Sequence, residues 1–305
     1  MALWAGITRS YRFVDYATQA YLLLVGILLL SFHSGRVPHV YLYLAAHGTG
    51  ILLIHAFVMG SARRPENRFF SFFRHFYPLI LYAFLYRESE QLNFLFVDKY
   101  LDPAFIALEE MIFGFQPAVV FMSAFPHPLV SEFFYISYFS YYVMIACVGL
   151  ALYFGRREEF WHYLAVLSFL FYMCFLAFIF LPVAGPPAFF MEIPKYLNQQ
   201  QLPYYLLEFP ASVASGPFFK LMGILYSAFE TGGGAFPSSH VAAALCVLFF
   251  SWRYLPRVRY LILAATFALS FATVYCRYHY AVDVFAGAAT AGMLVPLGEW
   301  LYRRY

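Results

Sequence analysis

An all-α polytopic membrane helix bundle of about eight transmembrane helices is the fold class that the sequence predicts, and three observations predict it. Of 305 residues, 63% are hydrophobic and 11% are charged, whereas a soluble domain carries roughly 25% charge. Eight stretches are apolar over most of the about 20 residues that a helix needs to cross the hydrocarbon core. The charges also sort by side. With the N-terminus taken as cytoplasmic, Arg36, Arg87, Lys99, Lys195, Lys220 and Arg277 fall outside, and the other 13 of the 19 basic residues crowd the inner loops and ends, as the positive-inside rule requires. The formal net charge of +3 is too small to imply a nucleic-acid partner.

In chain order, the first span is Tyr16 to Phe32, preceded by Arg9 and Arg12; no small-residue cleavage site follows it, so it reads as a retained helix rather than a signal peptide. Val40 to Gly60 is the second. The third, Phe69 to Tyr86, is the weakest, and Arg74 and His75 within it are expected to mark its end. Phe133 to Phe154, Trp161 to Leu181, Ser239 to Tyr254, Tyr260 to Cys276 and Val282 to Leu301 complete the set. Ala104 to Phe125 is apolar too, but Glu109, Glu110, Gly114 and Pro117 interrupt it, which suits a helix lying in the interface or dipping part-way in. Eight crossings place both termini on the cytoplasmic side. The chain divides into 1–132, N-terminal helices with an outer interfacial segment, and 133–305, a membrane core.

Two long connections remain, both on the outer side: Arg87 to Glu132 and Pro182 to Pro237. The acids of the first, Glu88, Glu90, Asp98, Asp102, Glu109 and Glu110, read as a solvated loop. Cys147, Cys174, Cys246 and Cys276 lie in apolar runs and read as small hydrophobes. Of the histidines outside the two segments described next, only the His47 and His55 pair shows a second metal-type ligand at helical spacing, and neither a metal nor another cofactor is expected.

Two segments break the lipid-like pattern. Gly232-Gly233-Gly234-Ala235-Phe236-Pro237-Ser238-Ser239-His240 runs straight into an apolar helix, and a helix N-terminus with free amides holds an anion. Tyr275-Cys276-Arg277-Tyr278-His279-Tyr280-Ala281-Val282-Asp283 lies between the last two spans. If the final helix begins near His279, the spacing of four places His279 and Asp283 on one helical face, where a carboxylate fixes the imidazole's tautomer, while the Arg277 fork suits phosphate oxygens. The topology brings both segments to the outer end of the bundle. Ionisable groups at bilayer depth are costly and functional by default.

Pro237-Ser238-Ser239-His240 and Arg277-x-His279-xxx-Asp283 resemble the second and third signatures of the type 2 phosphatidic acid phosphatase superfamily, over roughly Phe133 to Tyr305. The resemblance implies a catalytic set of His279 as nucleophile forming a phosphohistidine, Asp283 as its partner and His240 as general acid. It implies a phosphate clamp of Arg277 with Ser238 and Ser239. The first signature's lysine and Arg-Pro are missing: Leu181-Pro182-Val183-Ala184-Gly185-Pro186-Pro187 stands in that place. Ser239 replaces the usual glycine, and the Arg277 to His279 spacing is short. These departures are more similar to the inositolphosphorylceramide synthase-like branch, which implies transfer of a phospho-headgroup from a membrane lipid to a lipid alcohol, with hydrolysis to water as the alternative and a non-catalytic lipid or anion transporter as the reading from another class. Lys195 or Lys220 is the candidate for the missing cation, against a role as surface snorkelling lysines.

Overall fold

A computed structural model describes residues 10–33, 35–186, 209–229 and 232–305. Its elements are α1 (Phe13–Phe32), α2 (Val40–Arg63), α3 (Arg68–Gln91), α4 (Asp102–Phe113), α5 (Pro117–Ala124), α6 (Pro128–Gly155), α7 (Arg157–Phe180), α8 (Ala211–Ala214), α9 (Pro217–Phe229), α10 (Ser239–Tyr254), α11 (Arg259–Tyr275) and α12 (Ala281–Tyr302). Each of the eight apolar stretches forms a helix. Five of them, α1, α2, α6, α7 and α12, are long and apolar enough to cross a membrane. The other three fall short of that description for separate reasons. Helix α3 is less apolar, with Arg74, His75 and Pro78 in its middle, while α10 and α11 have 16 and 17 residues, a rise of about 24 to 26 Å against a hydrocarbon core of about 30 Å. Among the described residues there is no strand, and the one bridge pairs Val183 with Gly234.

Helix α7 is the hub. It packs against α1, α3, α6, α10 and α12, and 72% of its apolar window is buried, against 17% for α2, which touches α1 and α3 at the periphery. Hydroxyl pairs between buried helices pin this core where no water is at hand: Thr18 with Tyr172 at 2.8 Å and Tyr82 with Ser168 at 2.7 Å. The Ala104 to Phe125 run is broken as its sequence implies. Gly114 adopts a left-handed φ of 76° and Pro117 starts the next helix, so α4 and α5 meet at a 65° bend.

Arg74 and His75 do not end the third span. Helix α3 runs through both, because Arg74 is buried in a bidentate pair with Asp15 of α1 (2.7 and 2.6 Å) and Tyr77 donates to the same carboxylate at 2.8 Å. A compensated charge can sit inside a helix where a lone one would stop it. The described start and end of the chain share one end of the bundle: the Phe13 and Tyr16 rings pack on Tyr305 at 5.9 and 5.7 Å, and Arg12 pairs with Glu158 at the start of α7. The opposite end gathers the C-termini of α7 and α11 with the N-termini of α10 and α12.

Replacing Arg74 with leucine leaves Asp15 buried and uncompensated, so a loss of about 3 to 5 kcal/mol is expected. Thermal unfolding of the detergent-solubilised variant measures it, and adding Asp15→Leu recovers most of the loss.

Candidate active site

The catalytic-end loops are built from the chain's turn chemistry upward. Helix α11 closes in a Schellman motif, with the Arg277 amide bonded to the Val274 carbonyl and the Tyr278 amide to that of Thr273, both at 3.0 Å. The left-handed position of this motif is normally glycine, but here it is Arg277, at φ 62°. That backbone costs a non-glycine residue roughly 1 to 2 kcal/mol, and such strain collects at functional sites. The Arg277 side chain is buried, with its guanidinium 5.2 Å from the Phe209 ring. The turn swings His279 inward, where it is buried with His240 and Asp283.

Histidine geometry is set by backbone as much as by side chains. The Nδ1 of His279 lies 2.8 Å from the Ala235 carbonyl, which can only accept, so Nδ1 carries the proton and Nε2 carries the lone pair. That Nε2 faces His240 Nδ1 at 3.3 Å. His240 Nε2 in turn meets the Tyr138 hydroxyl at 2.9 Å. His279 lies ahead of α12, whose N-cap is Tyr280, so it and Asp283 do not share a helical face as the spacing of four predicts; the Asp283 Oδ2 stands 3.6 Å from Nδ1, beyond hydrogen-bond length. It accepts the Tyr280 amide at 2.8 Å instead. The tautomer is therefore fixed by Ala235, with Asp283 a nearby negative charge and a cap for α12.

Ser238 is the N-cap of α10: its hydroxyl accepts from the Val241 amide at 3.4 Å, and its own amide donates to the Asp283 carbonyl at 3.1 Å. This leaves the first amides of α10, at Ser239 and His240, without an intrahelical acceptor, at the positive end of the helix. Gly287 makes the approach of α12 to this cap feasible, since a Cβ there would stand 2.5 Å from the Ser238 carbonyl oxygen. The glycine run is tied down as well. The Ala235 amide donates to Val183 at 2.9 Å, and Asn93 of the α3–α4 connection donates to the Gly232 carbonyl at 2.9 Å.

Two acids of the loop read as solvated are among the most buried groups at this end. Asp102, fully enclosed, accepts from the Ala184 and Gly185 amides at 2.8 and 2.9 Å and from the Tyr280 hydroxyl at 2.9 Å. Glu109 accepts from the Ala281 and Val282 amides at the start of α12. Burial pushes Asp102 up to about 6 and Glu109 up to about 7, in each case opposed by the amides that they hold. Glu88 and Glu90 are buried too, Glu88 against His47 at 2.7 Å, which leaves Asp98 and Glu110 exposed. The reading of this segment as a solvated loop is thus corrected. An apolar helix with an acid at its third turn, next to long apolar spans, is the signal for an inward carboxylate.

The structure brings His240, Arg277, His279, Asp283, Ser238 and Ser239 to one end of the bundle. Lys220 stands exposed on α9, the surface position of a snorkelling lysine, and Lys195 lies outside the described residues. With this geometry in hand, comparison with known families gives one match: the family model described as the PAP2 superfamily covers residues 104–297. The chain belongs to the PAP2 superfamily. The match begins at α4, so it takes in Glu109 together with both histidine segments. Membership supports a phosphatase- or phosphotransferase-type enzyme acting on lipid, and the long apolar helices make it an integral membrane protein. Among curated proteins and among solved structures, nothing matches this chain.

Glu109→Ala leaves the Ala281 and Val282 amides buried without an acceptor, at about 1 to 3 kcal/mol for an unsatisfied group. A lower unfolding temperature is expected, with activity down more than about tenfold as His279 loses its frame. Glu109→Gln, which keeps an acceptor oxygen, is expected to hold within about threefold of the unaltered protein in the same two assays.

Proposed function

We propose that this protein transfers a phosphoryl-bearing headgroup from a membrane lipid through a phosphohistidine on His279, with an alcohol of a second lipid as acceptor. The observation that carries the reading is the His279 ring: Nδ1 donates to Ala235 and Nε2, holding the lone pair, points at a second buried histidine 3.3 Å away. An imidazole so oriented attacks phosphorus through Nε2. The cationic ring that results keeps its Nδ1 proton on the Ala235 carbonyl, with the Asp283 charge close by. The proton on His240 Nδ1, which faces the same space, is then the one delivered to the leaving oxygen. A phosphoryl group does not fit within 3.3 Å, so lipid entry has to part the two rings, replacing the resting contact with phosphorus.

Charge on the equatorial oxygens falls to Arg277, the Ser239 and His240 amides and the α10 dipole, in keeping with phosphoryl transfer as largely a matter of positioning and electrostatics. No metal is needed for these steps. The catalytic unit in this reading starts at Asp102 rather than at residue 133, because α4 holds α12 and the Val183 to Gly185 segment. Burial of His240, Arg277, His279 and Asp283 beneath the loops favours an acceptor alcohol over water, since a dry site suppresses hydrolysis of a reactive intermediate. The inositolphosphotransferase-like branch is the nearest match to this chemistry. Arginine distribution favours cytoplasmic termini and a site on the outer face.

Labelled phosphate from a phospholipid is expected on the unaltered protein after acid-free denaturation and to vanish in His279→Ala; turnover retained without His279 overturns the mechanism. Adding diacylglycerol or ceramide to the same assay is expected to yield labelled lipid product in excess of free phosphate or phospho-headgroup. The reverse ratio makes the enzyme a lipid phosphatase.

A further inference from the structure

The hydrogen bonds around His240 run in one direction. Ala235 can only accept, so His279 Nδ1 donates and His279 Nε2 must accept from His240 Nδ1. A neutral His240 with its proton on Nδ1 holds a lone pair on Nε2, so the Tyr138 hydroxyl 2.9 Å away donates to it. The Tyr138 oxygen has lone pairs with which to accept, and the Tyr226 hydroxyl lies 3.0 Å from it. Tyr138 is fully buried in α6, whereas Tyr226 is only part-buried and sits on α9, a helix with exposed Lys220, Leu221 and Ile224. Tyr278, the residue between Arg277 and His279, stacks on Tyr226 at 4.0 Å and lies 4.5 Å from the Tyr138 ring, which holds the two phenols in register beside the reacting histidines.

Resting on the phosphohistidine reading above, we propose that Tyr138 and Tyr226 form the proton path that serves His240, linking the buried general acid to water at the membrane surface. In the first step the His279 Nε2 lone pair forms the bond to phosphorus, and the phosphorus–oxygen bond breaks with its electron pair going to the leaving oxygen. The His240 Nδ1 proton goes to that oxygen. Tyr138 passes its proton to His240 Nε2, Tyr226 passes its own to Tyr138, and Tyr226 takes one from bulk water. In the second step the acceptor's hydroxyl proton enters at His240 Nδ1 and the same path carries one proton out, so the cycle is proton-neutral. Without this path, a neutral His240 that gave up its Nδ1 proton would be left an anion in a buried site. Tyr138 and Tyr226 act through His240 and are positioning residues with a proton-transfer role.

Leaving-group dependence separates this role from packing. Purified full-length protein in detergent micelles is assayed on phosphatidic acid, whose alkyl oxygen needs a proton to leave, and on 4-nitrophenyl phosphate, whose aryl oxygen leaves as the anion. Tyr138→Phe keeps the ring and removes the hydroxyl. The expected result, read as the pre-steady-state rate of leaving-group release in the first turnover, which reports the first step alone, is a fall of about 10² on phosphatidic acid, the lower end of what general acid catalysis contributes, and a rate within about threefold on 4-nitrophenyl phosphate. Tyr226→Phe is expected to show the same pattern at about tenfold. Equal loss on both probes in Tyr138→Phe, or no loss on either, overturns the proposal, and an unaffected Tyr226→Phe overturns its outer half. Failure of the underlying reading shows elsewhere, as turnover that survives His279→Ala or as no turnover of either probe by the unaltered protein.

Discussion

Where helix ends lie buried at the head of a membrane bundle, every free amide has to find its acceptor within the protein, and the placing of Asp102 and Glu109 answers that constraint. The C-termini of α7 and α11 and the N-termini of α10 and α12 meet at one end of this chain's bundle, where their free backbone groups need partners. Asp102 takes the amides of Ala184 and Gly185 and the Tyr280 hydroxyl, and Glu109 takes the first amides of α12. A single short helix, α4, thus clamps the segment after α7 to the segment before α12. The Val183 to Gly234 bridge passes the restraint to Ala235, whose carbonyl orients His279. The histidine's tautomer is in this sense a remote product of two carboxylates that never touch it.

The rest of the bundle meets the same constraint in different ways. Arg74 and Asp15 neutralise one another inside the α1–α3 contact, His47 meets Glu88 between α2 and α3, and Glu299 draws Arg253, His162 and Arg303 together at the terminal end. These pairs let polar residues occupy helices whose neighbours are apolar. The first two tie the N-terminal helices to one another, and the Thr18–Tyr172 and Tyr82–Ser168 hydroxyl pairs bind those helices to α7 and so to the frame that carries the site.

Much of this was legible from the sequence because it rests on patterns that lipid enforces. The eight helices follow from apolar length, the α4–α5 break from Gly114 and Pro117, and the meeting of the two histidine segments from topology alone. What escaped was partnership across long separations. Asp102 and Tyr280 are far apart in sequence, and an acid in an outer loop has the same letter whether it faces water or a helix end. Tyr138 is one of 27 tyrosines, with nothing in its neighbours to set it apart; its place beside His240 depends on the packing of α6 against α10. The local i, i+4 rule brought His279 and Asp283 near one another but assumed a helix that starts only at Ala281, and it could not foresee that a carbonyl 44 residues away would take the proton first.

Arg277 sits where glycine would be more comfortable. If its charge serves the phosphate clamp proposed above, fitness and foldedness pull in opposite directions at this one position. Selecting variants of this chain for heat resistance alone would then be expected to enrich glycine at 277 and to yield a sturdier protein that has lost its hold on phosphate. A screen that scores survival without turnover would count that outcome as an improvement.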